Sequence, residues 1–576
     1  MNEHPEKRLE AAQEHHLAGR LDEAAALCED ILAADPTDGG GHHVLALVRM
    51  AQDRLGEAID HIRKALSAEP ENGAFGNSLG LILMTAGDLD GAVTAFRRVI
   101  AAAPHFVRAQ VNLSRALRRL KRFDEARAVL DRAVALKPSF AAAHFALADL
   151  HHEHGDEAAA VVAAGDGRFA RGEFEAALDL YRRAAAPRPG DVRVDIALGR
   201  TLGRLGRGGE AVDLLRQTLA AHPGNRTVLG TLATVLTGAN RVEEALACLD
   251  QVATAGKAGV RTHIARAQAL LALGRFEDGW AEFEWRLRDT LISQERVRRP
   301  FDKPAWDGRR LTGERLFVHT EQGRGDIIQF ARYLPLVKER GGHIVFECET
   351  DLLVLMERTG GHDELVEKSF SADIPYVDHD LHVSLASLPY VFGTTEATIP
   401  AAVPYLGADP ERIAAWRQRI AGAGLRVGLV WAGNPKHPND ANRSMALSRL
   451  APLAAVEGVS FYALQVGEAA TQPAPPGLEV VPLGGEFGDF ADAAAAIANL
   501  DLVITVDTAT AHLAGALGRP VWTLLPYAPD WRWMLDRADS PWYPTMRLYR
   551  QPATGDWDRV VERVAADLTV MATARQ

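Results

Sequence analysis

The segment DLVITVDTATAHLAGALGRPVW, Asp501 to Trp522, sets an acid, two hydroxyls and an imidazole close together: Asp507, Thr508, Thr510 and His512. Carboxylates and imidazoles hold sugar hydroxyls or move protons, and the first N–H groups of a helix hold phosphate. The apolar run Leu502–Val506 predicts a buried strand, and the small residues after Asp507 predict a helix. The four polar residues thus fall where a strand hands over to a helix. On one reading Asp507 or Thr508 only caps that helix. On the other, this is the mouth of a ligand crevice.

Three more polar loops follow expected strands. TEQGRGD carries Gly323, Gly325 and Asp326. WAGNPKHPNDANRS carries Asn434, Lys436, His437 and Arg443. QVGE opens on Gln465. Each alone has a plain structural reading: Asp326 as a helix cap, Lys436 and Arg443 as solvated surface. Together they put an acid on one side of a cleft, with cations and a hydroxyl-rich helix N-terminus on the other. That combination suits a phosphate or pyrophosphate, with Arg443 and Lys436 adding charge-assisted bonds. Arg532, in PYAPDWRW, is read as a partner for an acidic group on a ligand, and Trp531 and Trp533 as packing. The pair Asp378 and Asp380 is read as a loop before a strand, and no metal is required.

The elements that must position these loops are α/β. Strands are expected at Arg315–Thr320, His343–Cys348 and within DLHVSLASL, with DIIQFARYLPLVKERG as an amphipathic helix. A second set reads Arg426–Gly433, Val459–Val466, Leu478–Leu483, Asp501–Val506 and Val521–Leu525. Two doubly wound lobes in tandem leave a cleft, and ligands bind beyond the carboxyl ends of such strands.

The first half has another period. Pro36, Pro70, Pro104 and Pro138 are spaced by 34 residues, as are Ala24, Ala58, Ala92 and Ala126, and the turns Gly19, Asp53, Gly87 and Lys121. A small residue lets two helices of a hairpin touch, and the proline ends the second helix. This is the tetratricopeptide signature. The step from Pro138 to Pro189 is 51, one and a half repeats, so an irregular or missing helix is expected near 151–172. About eight units, ending near Arg286, would present a groove for a polypeptide partner. His42, His43, His151, His152 and His154 are read as solvated or groove-lining.

The chain has 576 residues, 47% hydrophobic and 24% charged, with net charge −12. That length predicts three or more domains, and the charge argues against nonspecific nucleic-acid binding. No run approaches the roughly 18 apolar residues of a membrane span. The opening MNEHPEKRLEAAQ lacks a signal-peptide core, and three scattered cysteines form neither a disulfide framework nor a zinc site. A reducing cytoplasm is the expected location.

The repeats, GRFEDGWAEFEWRL, HTEQGRGDIIQFARYLPL, GLVWAGNPKHPNDANRSMAL and DLVITVDTATAHLAGALGRPVWTLLPYAPDWRWM together resemble bacterial tetratricopeptide-repeat glycosyltransferases, whose catalytic half is similar to the heptosyltransferases (GT9-like). The resemblance implies a GT-B fold of two Rossmann-like lobes and a nucleotide-sugar donor, with no cofactor. It also implies Ser or Thr of a protein acceptor held by the repeats, flagellin-modifying members being the nearest functional analogy. It makes Asp326 the general base and Asp507, Thr508 and His512 donor-binding, with Ala509 where those enzymes usually carry glycine. The domains expected are a repeat superhelix over 1–286, a connector over 287–314, an N-terminal lobe over 315–408 and a donor-binding lobe over 409–576. The alternatives are a non-catalytic scaffold and a transferase acting on a saccharide such as lipopolysaccharide.

Overall fold

The computed structural model describes residues 5–256, 258–288, 301–368 and 377–575; part of the expected connector, 289–300, lies outside these. Contacts divide the chain into two compact units, Met1–Leu214 and Leu215–Gln576.

The first unit is a run of helical hairpins. Second helices end at Ala34, Ala68, Ala102 and Leu136, each two residues before its proline. Ala24, Ala58, Ala92 and Ala126 are fully buried where the paired helices touch. The turn positions Gly19, Asp53, Gly87 and Lys121 all have positive φ, so Asp53 and Lys121 hold a conformation that favours glycine.

No helix is missing from the 51-residue step. Three helices fill it: Ala141–Glu153, Glu157–Ala170 and Phe174–Ala185. The middle one packs against both neighbours through glycines. A Cβ on Gly167 would lie 2.8 Å from the Phe145 ring, and one on Gly165 2.7 Å from the Tyr181 ring. The same helix therefore serves as second member of one hairpin and first member of the next.

The second unit begins with the last helices of the array, through Val260–Ala272 and Phe276–Phe283, and continues into two parallel sheets. The first sheet contains β1 (Arg315–His319), β2 (His343–Cys348), β3 (Glu364–Glu367) and β4 (Leu381–Ser384), in the order β3-β2-β1-β4. The second contains β5 (Leu425–Val430), β6 (Val459–Ala463), β7 (Val480–Pro482), β8 (Leu502–Val506), β9 (Val521–Leu525) and β10 (Met546–Arg550), in the order β10-β9-β8-β5-β6-β7. All strands run parallel, and the order in which they are added reverses between β1 and β4 in one lobe and between β5 and β8 in the other, which is where such sheets open a crevice. β1, β5 and β8 are buried nearly throughout, as parallel strands covered on both faces must be.

Two strands, β3 and β10, were not among those expected. β3 reads ELVE, too short and polar to stand out. The single helix expected after β1 is instead Arg324–Phe330, a tight turn over Ala331–Tyr333 and Leu334–Lys338. Pro335 allows no continuous ladder there. Asp378 and Asp380 do precede a strand, and Asp380 Oδ2 accepts the Arg315 N–H at 2.9 Å at the start of β1. Among the described residues no helix is long and apolar enough to cross a membrane.

Because Gly165 and Tyr181 interlock, Gly165→Val should overpack the shared helix and destabilise the first unit by about 2 kcal/mol. Chemical denaturation of the full chain measures it; an unchanged midpoint would mean that this helix is not the shared support.

Candidate functional site

The cleft is built on two helices that touch. Helix Arg324–Phe330 follows β1, and helix Ala509–Ala516 follows β8. Gly325 sits at their contact: a Cβ there would lie 3.0 Å from His512 Cδ2 and 3.6 Å from Ala509 Cα. Gly325 therefore acts as a spacer between lobes. Gly323 is the residue before its helix and donates its N–H to Asp326 Oδ2 at 3.0 Å. The Asp326 cap foreseen as the plain alternative is thus real, but only one oxygen makes it. The other meets Arg532 Nη2 across the cleft.

Arg532 is the hub. Its Nε donates to Gln329 Oε1 at 2.6 Å, its Nη1 to Asp530 Oδ1 at 2.8 Å, and its guanidinium lies 4.3 Å from the Trp531 ring centre. Burial opposes its charge, but Asp530, Asp326 and Asp507 hold it ionised. Trp531 and Trp533 are buried, as their reading as packing requires. The turn carrying them is set by Trp280, from the last helix of the array, which meets Trp531 edge-on at 5.3 Å.

At the end of β8, Thr508 begins the helix, yet its hydroxyl makes no capping bond and pairs with Thr505 Oγ1 at 3.1 Å. The reading of Thr508 as a side-chain cap therefore does not hold; the Ala511 N–H is taken by the Thr508 carbonyl at 3.0 Å, and among the described residues the N–H groups of Ala509 and Thr510 stay open. Thr510 is partly exposed in that first turn. Burial and then the Asp530 carboxylate raise Asp507 to about 6, against Arg443, the Trp533 indole and Arg532, which pull it down. The His512 pKa is driven well below its ordinary value by burial and by Arg532, Arg332 and Arg443, so the ring is neutral at pH 7. The Tyr543 hydroxyl lies 2.9 Å from His512 Nδ1 and 3.4 Å from Tyr405 OH, which already donates to Ile328 O and accepts from Arg332. The neutral ring carries its one proton on Nδ1 or Nε2, and the Tyr543 hydroxyl, able to donate or accept, pairs with Nδ1 in either tautomer.

The long loop after β5 splits the expected residues. Arg443 reaches the site: its charge acts on both Asp507 and His512, and its buried Nε, without a hydrogen bond among the described residues, lies 3.5 Å from Asp440 Oδ1 as an ion pair. Gly433 makes room for it, since a Cβ there would lie 2.9 Å from the guanidinium. Asn434 and Lys436 are exposed, and the Asn434 side chain accepts the Lys436 N–H at 3.0 Å, a local turn. Gln465 has no group to offer a ligand. Its Oε1 accepts from the N–H groups of Trp431 and Ala432, and its Nε2 donates to the carbonyls of Ala432 and Val466. It fixes the start of the β5 loop. Of the two readings of His42, solvated or groove-lining, the first does not hold: it is buried, with Nδ1 3.0 Å from His61 Nδ1.

Sequence reasoning missed Asp530, Gln329 and Tyr543. Gln329 had a signal, a fully buried glutamine inside the apolar run DIIQF. Asp530 stood two residues from Arg532. Tyr543 carried none, because only the fold brings it to His512.

The raised Asp507 carries a sign for stability. A folded-state pKa of about 6 against an ordinary 3.8 favours the folded protein at low pH, and that contribution is lost as pH rises through 6. Asp507→Asn should therefore raise the melting temperature at pH 7.5, by on the order of 2 kcal/mol in stability, with the gain vanishing near pH 4. Equal gains at both pH values would place the effect elsewhere than on the carboxylate.

Residues 83–150 and 203–272 match one tetratricopeptide-repeat family and residues 43–105 and 162–226 another. Residues 465–543 match glycosyltransferase family 9 (heptosyltransferase). Protein FlbA of Caulobacter vibrioides (strain ATCC 19089 / CIP 103742 / CB 15) is 33% identical over 333 residues, 54% of this chain and 55% of that protein, so the chain spans about half the length of the curated relative it matches. Among solved structures, MamA is 18% identical with a TM-score of 0.26, covering 28% of this chain and 95% of its own. PilW, a type IV pilus biogenesis factor, is 21% identical with a TM-score of 0.27, covering 41% of this chain and 100% of its own. The chain thus joins segments that match tetratricopeptide repeats to a segment that matches glycosyltransferase family 9 (heptosyltransferase).

Proposed function

We propose that this protein is a GT-B glycosyltransferase that moves a sugar from a nucleotide-sugar to Ser or Thr hydroxyls of a protein held by the repeats. The observation that carries the reading is the meeting of three features at one crevice. These are an uncapped helix N-terminus at Thr508, the Arg443 guanidinium, and an acid, Asp326, from the facing lobe. Open N–H groups and Arg443 suit the donor's phosphates.

Asp326 is held by Gly323 and Arg532 at both oxygens. The base role therefore requires that Arg532 turn from Asp326 toward the donor phosphate. Asp326 then takes the proton of the acceptor hydroxyl as that oxygen attacks the anomeric carbon. The bond from that carbon to the phosphate oxygen breaks, and the nucleotide leaves with the electron pair. Arg443 and Arg532 meet the charge that builds on it, the part a metal would otherwise fill. Asp507, partly neutral near pH 6, offers a hydroxyl or an oxygen to the sugar. The protein acceptor, with flagellin as the functional analogy, belongs to this reading because repeats of this kind dock polypeptides.

A thermal-shift panel with CMP, UDP, GDP, ADP and dTDP is the direct test. One nucleotide class should raise the melting temperature of the wild type, and Arg443→Ala should abolish the rise while remaining folded. Asp326→Asn should bind that nucleotide normally yet lose about 10²- to 10⁴-fold in transfer. No shift with any nucleotide at millimolar concentration would favour a scaffold, and full transfer by Asp326→Asn would remove it as the base.

A further inference from the structure

The repeats carry a charge pattern that the transferase reading does not use. In a chain of net charge −12, helix Val107–Arg119 exposes Arg108, Arg115 and Arg119. Steps of seven and four residues keep these three within about 20° of one line along the helix. Helix Val192–Arg204 repeats the arrangement with Arg193, Arg200 and Arg204, all exposed. The corresponding line on helix Gly73–Thr85 is Ala74, Leu81 and Thr85, so the arginines are not a feature of the repeat as such.

Their local partners leave most of this charge unanswered. Among the described residues no carboxylate lies within ion-pair distance of the first triplet. Arg119 donates to the Met84 carbonyl at 2.7 Å, and Arg115 lies 3.4 Å from Asn112 Oδ1. The acids next to them, Asp149 and Glu153, are engaged by Arg118 instead. In the second triplet one carboxylate, Asp166, is shared by Arg193 at 3.5 Å and Arg200 at 3.6 Å. Arg200 and Arg204 lie over the rings of Phe169 and Phe174 at 4.1 and 5.0 Å, which holds their guanidiniums in fixed directions. Three aligned guanidiniums that keep N–H groups beyond these few contacts are built for carboxylates in series.

We propose that each arginine stripe docks an acidic stretch of a partner polypeptide. That the partner is also the sugar acceptor rests on the function proposed above; the docking itself does not. Electrostatic docking of this kind speeds encounter and selects partners by charge, and it weakens with salt.

The test is fluorescence anisotropy of the full chain with a labelled polyglutamate peptide, in the absence of any nucleotide or transfer assay. Binding should weaken steeply as salt rises. Reversal of the first stripe (R108E, R115E and R119E together) and neutralisation of the second (R193Q, R200Q and R204Q) should each weaken it about tenfold. The matched control R63E, R132E and R183E, exposed arginines on second helices of hairpins, should leave it unchanged at an equal melting temperature. Equal loss in the control would reduce the effect to net charge and overturn the proposal. So would tighter binding of single-stranded RNA than of polyglutamate, or no binding of polyglutamate at low salt. Failure here leaves the nucleotide panel untouched, and a silent nucleotide panel leaves this result standing.

Discussion

The cleft depends on a single guanidinium. Arg532 is nearly buried, and a buried cation is tolerated only where partners replace water. Its partners come from both lobes: Asp326 and Gln329 from the first, Asp530 from its own turn. Removing any of them would leave charge stranded in a poorly solvated place. The same constraint explains Asp507. Burial withholds water from Asp507, and with Arg532 engaged by Asp326 and Asp530 and Arg443 lying 3.5 Å from Asp440 Oδ1, Asp507 is the carboxylate whose pKa rises. A donor phosphate entering the cleft would add negative charge, and Arg532 and Arg443 are the groups available to receive it.

That guanidinium has to be aimed, and the aiming comes from elements distant in sequence. The Trp531–Trp533 turn rests edge-on against Trp280. Past it, Met534 takes φ +52°, and Arg550 from β10 holds the carbonyls of Trp533, Met534 and Arg537. A non-glycine residue keeps such a conformation only when its surroundings over-determine it. On the opposite wall, Arg286 lies buried among Glu284, Glu321, Ser384 and Ser387, so the loop leading to Asp326 is tied to the end of the helical array. Both sides of the crevice are therefore held by residues at the end of the helical array, Trp280 and Arg286.

What the sequence made legible follows from what is local. Strand β8, the helix after it and the crevice at its carboxyl end were readable because a short apolar run followed by small residues allows few other folds. The 34-residue period was readable because each hairpin closes on itself. Gln465 and Gly325 show the limit. Both were picked as ligand groups from composition, yet one is occupied by backbone partners around Trp431 and the other is a spacer against His512. Those roles depend on what lies across a fold, which no local pattern records. The boundary at 286 shows it again. Periodicity follows hairpins to that point, while packing divides the chain at 214, because Trp280 and its neighbours share a core with the sheets.

The helix Glu157–Ala170 gives the 51-residue step a physical meaning. A hairpin array keeps its phase only if helices alternate, and an extra helix breaks the alternation unless it can pair on both sides. Gly167 and Gly165 let it do so, against Phe145 and Tyr181. The second family match, starting at 162, begins inside this helix, as a new phase should. Arg119 stands 19 residues before Pro138, and Arg204 stands 19 before Pro223. Yet the two arginines are 85 residues apart, two and a half periods of 34. The stripes therefore keep step with the hairpin each helix opens and not with distance along the chain. A surface charge that merely solvated the array would have no reason to follow that phase change; one that meets a partner through the first helix of a hairpin must follow it.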